Sequence, residues 1–139
     1  MEDLDLDPGE SRPTRPGALV RRGAWFLVAA YCVLIFIGSS IPGRDIPDPH
    51  VSDKLIHAME YAGLGTLVML VLVLNTRLTL ATAFFAAVAC AALYGVSDEL
   101  HQIFTSGRDS SVLDLMADIG GSSIGAGFVA CVALLRRRS

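Results

Sequence analysis

The chain has 139 residues, of which 53% are hydrophobic, 18% charged and 7% aromatic, with a net charge of −3. Soluble domains average about 25% charge, so a mean hydropathy of +0.53 argues against most soluble enzymes of this size and against a disordered tail protein. The acidic balance excludes a basic footprint, and no nucleic-acid partner is expected.

Residues 1–22 read as a cytoplasmic disordered tail, polar and Pro-bearing, opening with Glu2, Asp3, Asp5, Asp7 and Glu10. A spanning helix needs ~20 mostly apolar residues, and the first predicted span covers about 23–41, ending at Pro42-Gly43. Trp25 is an interfacial anchor at its inner end. Gly38-Ser39-Ser40 has the small residues of a cleavage site, but the long acid-rich lead is unlike a short basic signal region. The span is therefore read as retained. Asp45, Asp48 and His50 in the following loop receive no role.

The second predicted span covers about 55–74, the third 78–96 and the fourth 112–135, followed by a basic cytoplasmic C-terminus at 136–139. Residues 23–135 thus form one membrane domain, an all-α, four-helix transmembrane bundle, because bare lipid tolerates no open backbone. Counting only charge-free residues, Tyr61–Leu74 gives 14 and Ile119–Leu135 gives 17. Both spans need their polar first turns to cross, so Glu60 and Asp118 are expected below headgroup level. Cys32, Cys90 and Cys131 lie in apolar runs without CxxC spacing and read as buried small hydrophobes.

Positive residues set the expected orientation. Eight lie on one side (Arg12, Arg15, Arg21, Arg22, Arg77 and Arg136–Arg138) and three on the other (Arg44, Lys54, Arg108). The first side is expected to be cytoplasmic, giving an N-in/C-in protein.

At ~100° per residue, Asp53, Lys54, His57, Glu60 and Tyr61 share one face of the second span. Asp98, Glu99 and Gln102 continue the small-residue stripe Ala87, Ala91 and Gly95. Asp114 and Asp118 line up with Gly121 and Gly125, a GxxxG spacing that lets a neighbouring helix approach closely. The acids therefore point at other helices and converge on one polar cavity at the outer face. In the loop, Gly107 suits a tight turn and Ser110 or Ser111 caps the fourth helix. Arg108 either neutralises Asp98, Glu99 or Asp114, or grips a ligand phosphate or carboxylate.

Any one of these residues taken singly reads first as interhelical glue. Ionisable groups contributed by three helices below one interface read as a functional site. The candidate binding set is Lys54, His57, Glu60, Tyr61, Asp98, Glu99, Gln102, Arg108, Asp114 and Asp118. His101 reads as an interface residue. There is no Gly-rich phosphate loop, GxSxG or HExxH. His57 with Glu60, Asp98, Glu99 or Asp114 has the donor types of an oxygen-rich metal site, but the spacing is unspecific, and no metal or cofactor is assigned.

Asp53-Lys54-x-x-His57-x-x-x-Tyr61, then Asp98-Glu99-x-x-Gln102, then Gly107-Arg108, then Asp114 followed by glycines, resembles the VanZ-like family of small bacterial membrane proteins. The resemblance runs from about Asp53 to Gly125. It departs at Asp118, where the family pattern usually has Asn. It implies a four-span fold and an association with reduced susceptibility to teicoplanin-type glycopeptides; the phenotype would come by analogy alone. Two functional classes stay open. One is a non-enzymatic protein whose cavity binds membrane lipid, a lipid-linked envelope precursor or a lipoglycopeptide. The other is a small membrane enzyme acting on a lipid-linked phosphate or ester, with Glu99 or Asp114 as base or metal ligand, His57 as acid/base partner and Arg108 as clamp. Binding is preferred, because no nucleophile with an adjacent base is identifiable. A structural partner subunit is a weaker third class.

Overall fold

A computed structural model describes residues 17–45 and 52–138, so the readings of the tail through Pro16, of Asp48 and of His50 fall outside the described residues. Four helices follow in order: α1 (Ala18–Ser39), α2 (Asp53–Asn75), α3 (Leu80–Gln102) and α4 (Val112–Arg136). All four are long and apolar enough to cross a membrane, and at ~1.5 Å per residue each exceeds the ~30 Å hydrocarbon core. The chain has the architecture of a multi-pass membrane protein.

The ends follow from local chemistry. The Thr79 hydroxyl accepts from the Thr82 amide to start α3, and the Ser111 hydroxyl accepts from Leu113 to start α4. Gly107 turns the α3–α4 loop at φ 75°, a conformation that favours glycine. The Gly43 amide donates to the Ser106 carbonyl at 3.0 Å, so the α1–α2 and α3–α4 loops are stitched together. Any Cβ on Gly43 would collide with the Gly107 carbonyl.

Helix α3 runs to Gln102 rather than stopping near Val96. Its extra turns are polar, but Asp98, Glu99 and Gln102 are buried, Asp98 bonded to Ser39, Glu99 to the Ser111 amide and Gln102 to Asp98, so the helix continues.

Helices α2 and α4 run side by side in the same direction and form the most intimate pair. A Cβ on Gly121 would strike the Ala58 carbonyl, and one on Gly125 the Ala62 carbonyl. Gly65 packs reciprocally against the Ser122 backbone. The expected GxxxG approach is thus made to α2, backbone against backbone. Ala83, Ala87 and Ala91 of α3 join Leu64, Val68 and Met69 of α2 in the core. Helix α1 is the outermost, tied in by the Tyr31 hydroxyl donating to the Glu60 carbonyl and by Arg21 Nε donating to Asn75. Phe26, Leu34, Phe85, Leu93, Ile124 and Phe128 are exposed on outer faces, where lipid is their natural solvent. Cys90 and Cys131 are also exposed and Cys32 half-buried. The expectation of three buried thiols fails because apolar runs in such a bundle face lipid as readily as core.

Candidate functional site

One end of the bundle gathers the C-termini of α1 and α3, the N-termini of α2 and α4, and both stitched loops. A pocket of about 150 Å³ opens there between α1, α2 and α3. Helix α1 and its end supply Gly38, Ser39 and Ile41; α2 supplies Asp53, Ile56, His57 and Glu60; α3 supplies Asp98 and Gln102; Arg108 closes it from the loop.

Each polar side chain is placed by the register of its helix. His57 and Tyr61, one turn apart on α2, face inward and are buried. Asp98 and Gln102, one turn apart on α3, hold each other through Gln102 Nε2 donating to Asp98 Oδ2 at 3.1 Å. The other oxygen of Asp98 accepts from the Ser39 hydroxyl at 2.5 Å. Glu60 is half-buried, and its carboxylate lines the pocket with no hydrogen-bond partner among the described residues.

Glu99, Asp114 and Asp118 do not line this pocket and form a second layer behind His57. Asp118 Oδ1 lies 3.0 Å from His57 Nδ1, with the two side chains 0% and 5% exposed. Glu99 Oε2 accepts from the Ser111 amide at 2.7 Å, tying α3 to the start of α4. Asp114 is buried and receives Lys54 Nζ at 3.1 Å, while Lys54 itself is half-exposed. The single cavity expected from the three stripes is therefore two layers sharing His57. The cause is the close α2–α4 approach, which closes the space in front of the α4 acids.

The expected partners of Arg108 also differ. Its Nη2 donates to the Gly38 carbonyl at 3.1 Å and its Nε to the Ile41 carbonyl at 3.4 Å. Its nearest acid among the described residues is Asp53, at 4.0 Å, and Asp98, Glu99 and Asp114 are held by other groups. Arg108 thus holds the C-terminal end of α1, where the free carbonyls of a helix welcome a cation. Lys54 carries the ion pair to α4 instead. His101 shares a 2.9 Å hydrogen bond with the Ser40 hydroxyl and packs on Phe36 at 4.5 Å between ring centres.

Two polar pocket residues lie outside the candidate set: Asp53, placed on the shared α2 face but not carried into the set, and Ser39, which no spacing argument singled out. The signal for Ser39 lies in Gly38-Ser39-Ser40, a polar end on an apolar span at the same face as the acids, whose small residues also fit a cleavage site.

A family model described as VanZ/LLP1 matches residues 24–135, from the first turns of α1 to the end of α4. The chain belongs to the VanZ/LLP1 family. No curated protein and no solved structure matches it. The matched segment of this VanZ/LLP1 chain contains the pocket and the second layer whole. Asp118 sits at the centre of that second layer.

Chemically, the pocket presents three carboxylates, the His57 edge and one carboxamide, with a single guanidinium already engaged by backbone. Its unsatisfied capacity is for accepting hydrogen bonds.

Proposed function

We propose that this VanZ/LLP1 protein is a non-enzymatic binding protein of the bacterial plasma membrane. Its pocket takes one donor-bearing group, an ammonium or hydroxyl, from the head of an envelope lipid or lipoglycopeptide. The observation that carries the reading is the Glu60 carboxylate, half-buried at the pocket wall with no donor among the described residues. A carboxylate in that position is costly unless something pairs with it. The pocket volume, about 150 Å³, is roughly that of five liquid waters. That is room for the tip of a headgroup, not for a whole glycopeptide. The asymmetry of eight cationic residues against three supports a cytoplasmic placement of both termini, with the pocket on the opposite face. A link to teicoplanin-type glycopeptides would follow if such a ligand offers that group to the pocket.

The test is lipid retention by the purified protein in detergent, read by native mass spectrometry. Phosphatidylethanolamine, with an N–H donor head, should be retained over phosphatidylcholine, whose head has none. Glu60→Gln should abolish the preference. Equal retention of both lipids by the wild type would overturn the reading.

A second reading rests on the His57–Asp118 pair. A carboxylate on Nδ1 orients an imidazole whose ring edge meets the pocket, the arrangement of a general base. A small enzyme acting on a lipid-linked phosphate or ester would use it to activate water. Release of phosphate or fatty acid, lost in His57→Gln, would establish that class in place of binding.

A further inference from the structure

We infer that the layer behind the pocket is a divalent metal site formed by His57, Glu99 and Asp118. One imidazole nitrogen and one oxygen from each carboxylate lie within 4.8 Å of one another, contributed by α2, α3 and α4, and all three residues are buried. Ligand atoms around a tetrahedral ion at about 2.0–2.2 Å stand roughly 3.3–3.6 Å apart. The set is therefore close to coordination spacing, and side-chain adjustment of about 1 Å would bring all three ligand atoms onto one ion.

A second observation points to a missing ligand. Asp118 Oδ2 and Glu99 Oε1 are buried and have no hydrogen-bond partner among the described residues. Asp118 is 0% and Glu99 7% exposed. Each carboxylate of the triad thus carries one orphan oxygen, where leaving an acceptor unpaired is expensive. The first-layer acid Asp98, by contrast, has a donor on each oxygen. Two carboxylates and a neutral imidazole match the charge of a divalent ion and release it from needing an outside counter-ion.

The donor set narrows the metal. Imidazole suits zinc and other first-row transition metals, while all-oxygen sets suit magnesium and calcium. One nitrogen with two carboxylates, held by three protein ligands, fits Zn²⁺ or Mn²⁺ with a coordination position left open. A neighbouring set, Asp53, His57 and Asp114, is also within ligand distance. There the ammonium of Lys54 already occupies Asp114 Oδ1 at 3.1 Å, and Asp53 is exposed. The buried triad is the better site; it shares His57 with the pocket, while Glu99 and Asp118 lie outside the pocket lining.

The full chain, purified in detergent and stripped with chelator, would be titrated with Zn²⁺, Mn²⁺ and Mg²⁺ by calorimetry, with metal content read by mass spectrometry. The proposal expects one Zn²⁺ or Mn²⁺ per chain, in preference to Mg²⁺, with a rise in thermal midpoint. Loss of an outer partner alone costs roughly 10–100-fold in metal affinity, so Asp118→Asn and Glu99→Gln should each cost at least that. Asp53→Asn should bind as the wild type does. The absence of stoichiometric binding by the folded wild type would overturn the proposal. So would binding that survives Asp118→Asn and Glu99→Gln but is lost in Asp53→Asn.

Discussion

His57 on α2 and Asp118 on α4 meet at 3.0 Å in the interior of the closest helix pair, with Asp118 fully buried. The contact exists because Gly121, three residues on, lets α4 lie against the α2 backbone at Ala58. Small-residue packing and the polar pair are thus one arrangement.

Removing one partner of a buried pair leaves the other uncompensated. Asp118→Ala should therefore destabilise the bundle by about 3–5 kcal/mol. Asp118→Asn keeps an acceptor for the imidazole N–H and should cost far less. Unfolding in mixed detergent micelles measures both. Equal losses would mean that charge, not hydrogen bonding, holds His57.

Close approach predicts a position-specific glycine scan. Gly121→Ala and Gly125→Ala place a methyl against α2 backbone carbonyls, which cannot rotate away, and should cost about 1–3 kcal/mol each. Gly120→Ala, with nothing within 4 Å of the new methyl, should be neutral or stabilise by up to about 1 kcal/mol through helix propensity. Thermal midpoints of the three variants check the contrast. A destabilised Gly120→Ala would contradict the open space around Gly120.

Arg108 is expected to act on α1 rather than on the buried acids. Hydrogen bonds from a charged donor contribute about 1.5–3 kcal/mol, so Arg108→Ala should loosen the end of α1 and leave the α2–α4 pair intact. Hydrogen exchange should quicken at Ser40 and Ile41 while Gly121–Gly125 stays protected. Arg108→Lys should give an intermediate result, because one ammonium does not reproduce the planar fork that spans the Gly38 and Ile41 carbonyls. Unchanged exchange in both variants would remove the tether.

The orientation can be read with single cysteines in a variant lacking Cys32, Cys90 and Cys131. Arg44→Cys, in the turn after α1 at the pocket end of the bundle, should react with an impermeant reagent in intact cells, and Arg138→Cys should not. The opposite pattern would place the pocket in the cytoplasm.

Much of this architecture was legible in the sequence. The inward faces of α2, α3 and α4 follow from helical spacing, and Ala87, Ala91, Gly95, Asp98 and Gln102 are all buried as that spacing requires. Pairing was less legible. Which cation meets which acid depends on the lateral packing of helices, so Lys54 reaches Asp114 while Arg108 turns to α1. Periodicity within one helix cannot report that choice. The role of Ser39 was hidden for the same reason, because α1 has no acidic stripe of its own and joins the site only by where it docks. The separation into two layers depends on how closely α2 and α4 approach, a distance that GxxxG spacing allows without specifying the partner.

The central claim is that the Glu60 carboxylate makes the pocket a receptor for a donor-bearing headgroup. The most direct measurement is competitive lipid binding by native mass spectrometry, comparing wild type with Glu60→Gln in an equimolar phosphatidylethanolamine and phosphatidylcholine mixture. The account predicts a wild-type preference for phosphatidylethanolamine that disappears in Glu60→Gln while the thermal midpoint is unchanged. The same lipid profile for both proteins would contradict it.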